Sequence, residues 1–267
     1  MKIGLYDSGI GGLSVLKELL PIFPNDQFIY YGDTKNAPYG SKSKEDLWKI
    51  NTVILNFFES KKIDVLIVAC NTSSALFLDK IKKHIDIPVF ELIHPTAEKI
   101  KYDRFKKVTV FGTNRTIDSH CYKTSIQSLS PKTEVLEIAC PLWVPFIETS
   151  ASIIKNETSI DVDISEKVLQ AFEWEADGII FGCSHYPFLS HHLEKEWSKQ
   201  STNRPMKWIN PAQALSSLLK KEKETITSVT KSVPRVDFII TKQSALFTSI
   251  SKEITKNSKF AHSLTII

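Results

Sequence analysis

Two cysteines in this chain stand where a thiol can do chemistry. Cys70 closes the run Asp64-Val65-Leu66-Ile67-Val68-Ala69 and opens onto Asn71-Thr72-Ser73-Ser74. Cys183 closes Asp177-Gly178-Ile179-Ile180-Phe181-Gly182 and opens onto Ser184-His185-Tyr186-Pro187. A thiol at the end of a strand, followed by helix-capping residues, lies near the positive end of a helix dipole. That position predicts a lowered pKa and an available thiolate at Cys70. At Cys183 the histidine two residues on would stabilise a thiolate as its imidazolium. Two matched thiols approaching one carbon from opposite faces can take a proton from one side and deliver one to the other, which inverts a stereocentre reversibly. Thiols, with an ordinary pKa of about 8.5, can serve as acid or base near neutral pH once tuned downward, whereas a serine hydroxyl cannot.

Other readings of these residues stay open at this level. A Cys–His nucleophile of the thiol-hydrolase kind accounts for Cys183 and His185 but gives Cys70 no task. A small buried cysteine closing a strand accounts for Cys70 taken alone. Zinc is not expected, because Cys183 and His185 lack further ligands at usable spacing and no two cysteines form C-x-x-C. Cys121 and Cys140 have no comparable flanks and read as structural.

Two loops carry further chemistry. Asp7-Ser8-Gly9-Ile10-Gly11-Gly12-Leu13-Ser14 is a glycine-rich turn between a strand and a helix, able to hold an anion on backbone N–H groups. It also matches the start of a dinucleotide fingerprint, with Asp33 about where a ribose-binding acid would sit. Ser14 replaces the last glycine of that fingerprint, and Asp7 puts a carboxylate beside the pyrophosphate position, so NAD is not expected. The second loop, Tyr31 to Gly40, contains Pro38-Tyr39-Gly40, a rigid turn whose Tyr and N–H groups suit a carboxylate.

The elements that must position these loops alternate. Apolar runs at 2–6, 27–31, 64–69, 87–90, 107–111, 134–138, 177–181, 206–209 and 236–240 predict strands. Patterns at 12–20, 42–60, 73–83, 117–128, 162–175 and 211–221 predict helices between them. Such alternation predicts an α/β protein with mostly parallel sheets and ligands at the carboxyl ends of the strands. The chain also echoes itself. The strand ending at Cys70 lies over the strand ending at Cys183, and Lys2-Ile3-Gly4-Leu5-Tyr6-Asp7-Ser8 lies over Lys107-Val108-Thr109-Val110-Phe111-Gly112-Thr113. Two pseudo-symmetric α/β lobes would explain the echo. Boundaries are expected near Ile93-His94-Pro95 and near Ser201 to Pro205, and Lys220 to Arg235 reads as an exposed polar connection. These divide the chain into a first lobe of 1–95 plus 210–267 and a second of 96–209, with the site in the cleft between them.

Bulk properties exclude other classes. The 267 residues carry 34 Lys and Arg against 30 Asp and Glu, a net charge of +4 with its lysine pairs scattered, too weak and too dispersed for a nucleic-acid surface. No apolar run approaches the roughly 18 residues of a membrane span. The N-terminus enters a strand directly, without the pattern of a secretory leader, and four cysteines in such a chain suggest reduced thiols in a cytoplasmic setting.

Six stretches, in order, resemble the glutamate racemases of the aspartate/glutamate racemase superfamily. They are Asp7 to Gly12, Ala37-Pro38-Tyr39-Gly40, Ala69 to Ala75, Gly112-Thr113-Asn114-Arg115-Thr116-Ile117, Cys140-Pro141-Leu142-Trp143-Val144-Pro145 through Glu148, and Gly182 to Pro187. The resemblance implies Cys70 and Cys183 as the two acid/bases, with Asp7 assisting near Cys70 and His185 with Glu148 near Cys183. It implies substrate contacts from Asp7, Ser8, Tyr39, Gly40, Asn71, Thr72, Thr113, Thr116, Ser184 and His185, and neither pyridoxal phosphate nor metal. The implied partner is glutamate, the implied product D-glutamate for peptidoglycan, and a homodimer is compatible with it. A racemase acting on aspartate, or a non-catalytic amino-acid-binding protein on the same fold, are the alternatives. The chain departs from the pattern at Ser184, where threonine is usual. Asn210-Pro211-Ala212 and Thr241-Lys242-Gln243 also depart from it, and they leave the C-terminal quarter poorly matched.

Overall fold

In a computed structural model of the chain, the described residues are 1–149, 157–200, 206–226, 234–256 and 260–267. The strands are β1 (Lys2–Asp7), β2 (Gln27–Gly32), β3 (Val65–Val68), β4 (Val89–Glu91), β5 (Lys107–Gly112), β6 (Glu134–Ala139), β7 (Gly178–Gly182), β8 (Lys207–Ile209), β9 (Arg235–Ile240) and β10 (Ala261–Ile266). The helices are α1 (Gly12–Leu19), α2 (Lys44–Lys61), α3 (Asn71–His84), α4 (Ile93–Asp103), α5 (Asn114–Asp118), α6 (Cys121–Leu129), α7 (Trp143–Thr149), α8 (Glu157–Glu173), α9 (Ser190–Gln200), α10 (Pro211–Ile226) and α11 (Ala245–Lys256).

The strands form two sheets, ordered β10-β9-β2-β1-β3-β4 and β6-β5-β7-β8. Every pairing is parallel. The chain is therefore α/β with mostly parallel sheets, as expected. β3 and β7 are buried at every position, as strands covered by helices on both faces must be. The order β2-β1-β3-β4 in the first sheet repeats as β6-β5-β7-β8 in the second. β1 and β5 thus occupy equivalent places, as do β3 and β7, which are the pairs that echo in sequence.

Several expected boundaries fall differently. Ile93-His94-Pro95 is the first turn of α4, so a lobe boundary there falls at the start of a helix, not in a loop. The Glu91 carboxylate accepts hydrogen bonds from the backbone N–H of Ile93 and, at 2.7 Å, of His94. Pro95 needs no partner for a missing N–H in a first turn. The single helix expected over 117–128 is two, α5 and α6, separated at His120, whose φ of 53° is left-handed. Of the polar stretch from Lys220 to Arg235, the part up to Ile226 continues α10, Arg235 already belongs to β9, and 227–233 lie outside the described residues. The expected boundary at 201–205 lies outside the described residues. The periodicity reading missed α4, α7, α9, α11 and β10. β10 is a largely exposed edge strand, so no apolar run marks it.

Candidate active site

The carboxyl ends of β1, β3, β5 and β7 meet at one cavity of about 130 Å³. Its wall includes Ser8, Cys70, Thr113 and Cys183, one residue from the end of each of these strands. Tyr39, Gly40, Asn71, Thr72, Ser184 and His185 complete the expected part of the lining. Asp7, Glu148 and Thr116 stand behind this layer and act on it through hydrogen bonds. Pro38, Ser41, Asn114, Pro141, Val144 and Pro145 also face the cavity. Those six lie inside or beside the motifs quoted above, but their residue types carry no chemical signal of their own.

Cys183 belongs to a hydrogen-bonded chain. Its Sγ lies 3.7 Å from Nδ1 of His185, and Nε2 of His185 lies 2.7 Å from Oε1 of Glu148. The same Oε1 accepts from the backbone N–H of Ile10 at 3.0 Å. A carboxylate on Nε2 keeps the proton on that nitrogen, so in the neutral ring Nδ1 turns its lone pair to the thiol. Burial opposes the charged ring, but the hydrogen bonds to Cys183 and Glu148 outweigh it and hold the His185 pKa well above the usual 6.5. Glu148 answers in the opposite sense. Burial, the largest single influence, raises its carboxyl, but the hydrogen bond and charge of His185 and the Ile10 N–H together draw it below the ordinary 4.5. The arrangement is an imidazolium held between a carboxylate and a thiol, the setting in which a thiolate persists.

Cys70 has a different environment. It caps α3 with no side-chain cap, and it is almost wholly buried. Burial pushes its thiol up to about 12, and the Asp7 carboxylate adds to the rise against opposing hydrogen bonds from Ser73. The lowering expected from the helix terminus is therefore overridden, because desolvation of a thiolate outweighs one partial dipole charge. Asp7 is fixed by the Gly9 N–H on Oδ1 at 3.0 Å and by the Ser184 hydroxyl on Oδ2 at 2.8 Å. That second bond runs from the first sheet's β1 to the residue after Cys183.

Close backbone approach explains the glycines. A Cβ on Gly9 would sit 2.0 Å from Oε1 of Glu148, and one on Gly40 would sit 2.8 Å from Cβ of Thr113. Both positions press a loop of the first sheet against the second sheet's elements. Ser14, which breaks the dinucleotide pattern, donates to the carbonyl of Ser184 at 2.8 Å and ties α1 to the Cys183 loop. Asp33 is held within its own loop. It accepts from the Tyr39 hydroxyl at 2.7 Å, from Nδ2 of Asn36 at 3.0 Å and from the Thr241 hydroxyl at 2.8 Å, under the loop that carries the cis Ala37-Pro38 bond. Thr72 and Thr113 share a hydrogen bond of 3.0 Å, and Thr113 another of 3.0 Å with Thr116, which places Thr116 as a support. Arg115 donates from Nε to the carbonyl of Lys42 at 2.9 Å, beside the same mouth.

Among the described residues, no group of three or more His, Cys, Asp or Glu side chains is arranged to hold a metal ion. Nor is any helix among them long and apolar enough to cross a membrane.

Parallel sheets carrying cysteines at equivalent strand ends define a class, and comparison with known proteins identifies it. The family model for Asp/Glu/Hydantoin racemases matches residues 13–218. The chain belongs to that family. It is 41% identical to the glutamate racemase of Prochlorococcus marinus (strain NATL2A) over 222 residues, 82% of this chain and 79% of that protein. It is 32% identical to glutamate racemase 3 of Caldanaerobacter subterraneus subsp. tengcongensis over 99% of this chain and 94% of that one. The crystal structure of the Francisella tularensis glutamate racemase in complex with D-glutamate superposes with a TM-score of 0.84 at 28% identity, covering 100% of this chain and 97% of that one. The likeness thus runs through the C-terminal quarter, where the motifs had thinned.

Proposed function

We propose that this chain interconverts L-glutamate and D-glutamate without a cofactor, with Cys183 and Cys70 exchanging protons on opposite faces of Cα. The observation that carries this reading is that both thiols line one small cavity and that Cys183 lies 3.7 Å from the His185 imidazole. The named relatives are glutamate racemases, which supports glutamate over aspartate. In the resting enzyme the Cys183 proton passes to His185, leaving a thiolate beside an imidazolium, while Cys70 keeps its proton. L-glutamate enters with its α-hydrogen toward Cys183. The Cys183 thiolate takes that proton, the electron pair stays on Cα, and Cα then takes the Cys70 proton on its other face. The product is D-glutamate, with Cys183 a thiol and Cys70 a thiolate. The reverse reaction starts from that state, and the substrate's α-ammonium stabilises the Cys70 thiolate that burial and Asp7 disfavour.

Ser8, Tyr39, Gly40, Asn71, Thr72, Thr113 and Ser184 hold the two carboxylates and the ammonium. Asp7 and Thr116 contribute by positioning Ser184 and Thr113. The two sheets serve as lobes, 1–95 plus 210–267 and 96–209, with the substrate between them. A cytoplasmic enzyme supplying D-glutamate for peptidoglycan fits this chemistry, and a homodimer is compatible with it.

The test is racemisation in D₂O by dialysed, chelator-treated protein, followed by polarimetry and mass spectrometry with L-glutamate, D-glutamate and L-aspartate. Early D-glutamate made from L-glutamate should carry one solvent deuterium at Cα, while the remaining L-glutamate stays almost wholly protiated. Retention of the original proton in the product would point to one base serving both faces. Activity restored only by an added metal or pyridoxal phosphate would reject the two-thiol reading.

A further inference from the structure

Asn71 faces the cavity from the first turn of α3 and is only 2% exposed. Its two amide ends are not equivalent. Oδ1 accepts a hydrogen bond of 2.6 Å from the hydroxyl of Tyr122, whereas Nδ2 is buried with no hydrogen-bond partner. A buried amide N–H without a partner is unfavourable, by roughly 1–3 kcal/mol, and native proteins rarely keep one that serves nothing. Tyr122 belongs to α6, which packs beside the second sheet, while Asn71 follows β3 of the first. The hydroxyl therefore reaches across from one half of the molecule to the other. It is itself wholly buried, and burial together with the nearby Cys121 and Glu91 keeps its pKa well above the ordinary 10, so it stays a protonated donor.

An asparagine amide can present either end to a ligand, and the two ends ask for opposite chemistry. Oδ1 toward the cavity would attract an ammonium, and Nδ2 would attract a carboxylate. We propose that Tyr122 is a positioning residue that fixes the Asn71 amide with Nδ2 toward the cavity, so that Asn71 binds a substrate carboxylate. Without the hydroxyl the amide is free to turn over, and in half of its orientations it meets the carboxylate with an oxygen. The proposal rests on the reading of this cavity as a glutamate site, and it names which polar group of the substrate Asn71 takes.

The test is D-glutamate binding by calorimetry, together with racemisation kinetics, for wild type, Tyr122→Phe, Asn71→Ala and the double variant. Tyr122→Phe should weaken binding about tenfold, the scale of one hydrogen bond to a charged group, and raise KM alike with kcat within a factor of about three. In the Asn71→Ala background the same change should have almost no further effect, because the group that Tyr122 orients is gone. Equal weakening in both backgrounds would reduce Tyr122 to packing and overturn the proposal, as would unchanged binding by Tyr122→Phe. A wild type that binds D-glutamate but fails to racemise it would remove the racemase reading while leaving this one to the binding data. Should Tyr122→Phe fold poorly, the side-chain amide resonances of Asn71 in ¹⁵N-labelled wild type decide: they should move on addition of D-glutamate, and unmoved resonances overturn the proposal.

Discussion

The Cys70 side and the Cys183 side of the cavity share a backbone and differ in charge. Both cysteines follow the strand beside the central one in a 2-1-3-4 arrangement, and each is followed by a helical turn. Around Cys183 the next elements bring His185 and Glu148, which offer a proton acceptor and a counter-charge. Around Cys70 they bring Asp7, a carboxylate that disfavours a second negative charge. The place in β5 equivalent to Asp7 holds Gly112, not a carboxylate, so β5 gives Cys183 no such neighbour. A duplicated scaffold thus positions two like groups in unlike surroundings, an imidazole beside Cys183 and a carboxylate beside Cys70. In the proposed reaction that is what an acid/base pair needs at the start of each turnover.

Removing either thiol breaks the comparison most severely. Cys70→Ala and Cys183→Ala should each abolish racemisation in both directions, because each removes the base for one direction and the acid for the other. The surviving thiol should still exchange one enantiomer. Cys70→Ala should wash deuterium only into L-glutamate, and Cys183→Ala only into D-glutamate, as read by proton NMR in D₂O. Full racemisation by either variant would end the two-thiol scheme, and exchange with the enantiomers reversed would swap the faces.

A smaller loss should follow from removing the asymmetry while keeping both thiols. His185→Asn retains a polar group but no titratable one. A positioned acid/base group contributes about 10²–10⁴-fold in rate, and kcat should fall by at least about 10²-fold. KM should change much less. The deficit should be largest when L-glutamate is the substrate, since His185 serves the thiol on that face. A kcat within about twofold of wild type, against the contribution expected of such a group, would make His185 structural.

How much of this was legible in the chain depends on distance along it. Cys183 and His185 are two residues apart, and each cysteine follows an apolar strand, so local pattern was enough to find them. Glu148 reaches His185 across 37 positions, and only the family resemblance pointed to it. Tyr122 gave no signal, and Arg115 only as part of a motif, because their partners, Asn71 and Lys42, lie 51 and 73 positions away in the half of the chain that builds the other sheet. The direction of the Cys70 pKa is hidden from the sequence for the same reason. A helix dipole is visible locally, whereas burial and the Asp7 carboxylate arise only when β1 and β3 pair. The strands of the sheet interiors were read well because they are continuous apolar runs. The break at His120 and the cap from Glu91 depend on single dihedrals and single hydrogen bonds that periodicity does not carry.

The mildest change sharpens the comparison by weakening one member of the Cys183 chain. Glu148→Gln keeps an amide oxygen for the Ile10 N–H but removes the charge opposite His185. Because Glu148 acts only through the imidazole, kcat should fall about tenfold, the lower range seen for groups that orient another residue. Stability gives a second readout whose sign is fixed by the two pKa directions. His185 is raised above its ordinary 6.5, so its contribution is complete below that pH and declines as pH rises toward the raised value. Glu148 is lowered from 4.5, so its contribution is complete above that pH and is lost as pH falls. The difference in unfolding temperature between wild type and Glu148→Gln should therefore be greatest between about pH 4.5 and 6.5, and should shrink on either side. The Cys70 half has no ion pair of this kind, and Asp7→Asn should show no such shrinkage on the alkaline side. A Glu148→Gln difference that stays flat from pH 5 to 9, well past the ordinary 6.5 of the imidazole, would mean that His185 is neutral in the folded enzyme, and the charge asymmetry between the two thiols would have to be drawn from Asp7 alone.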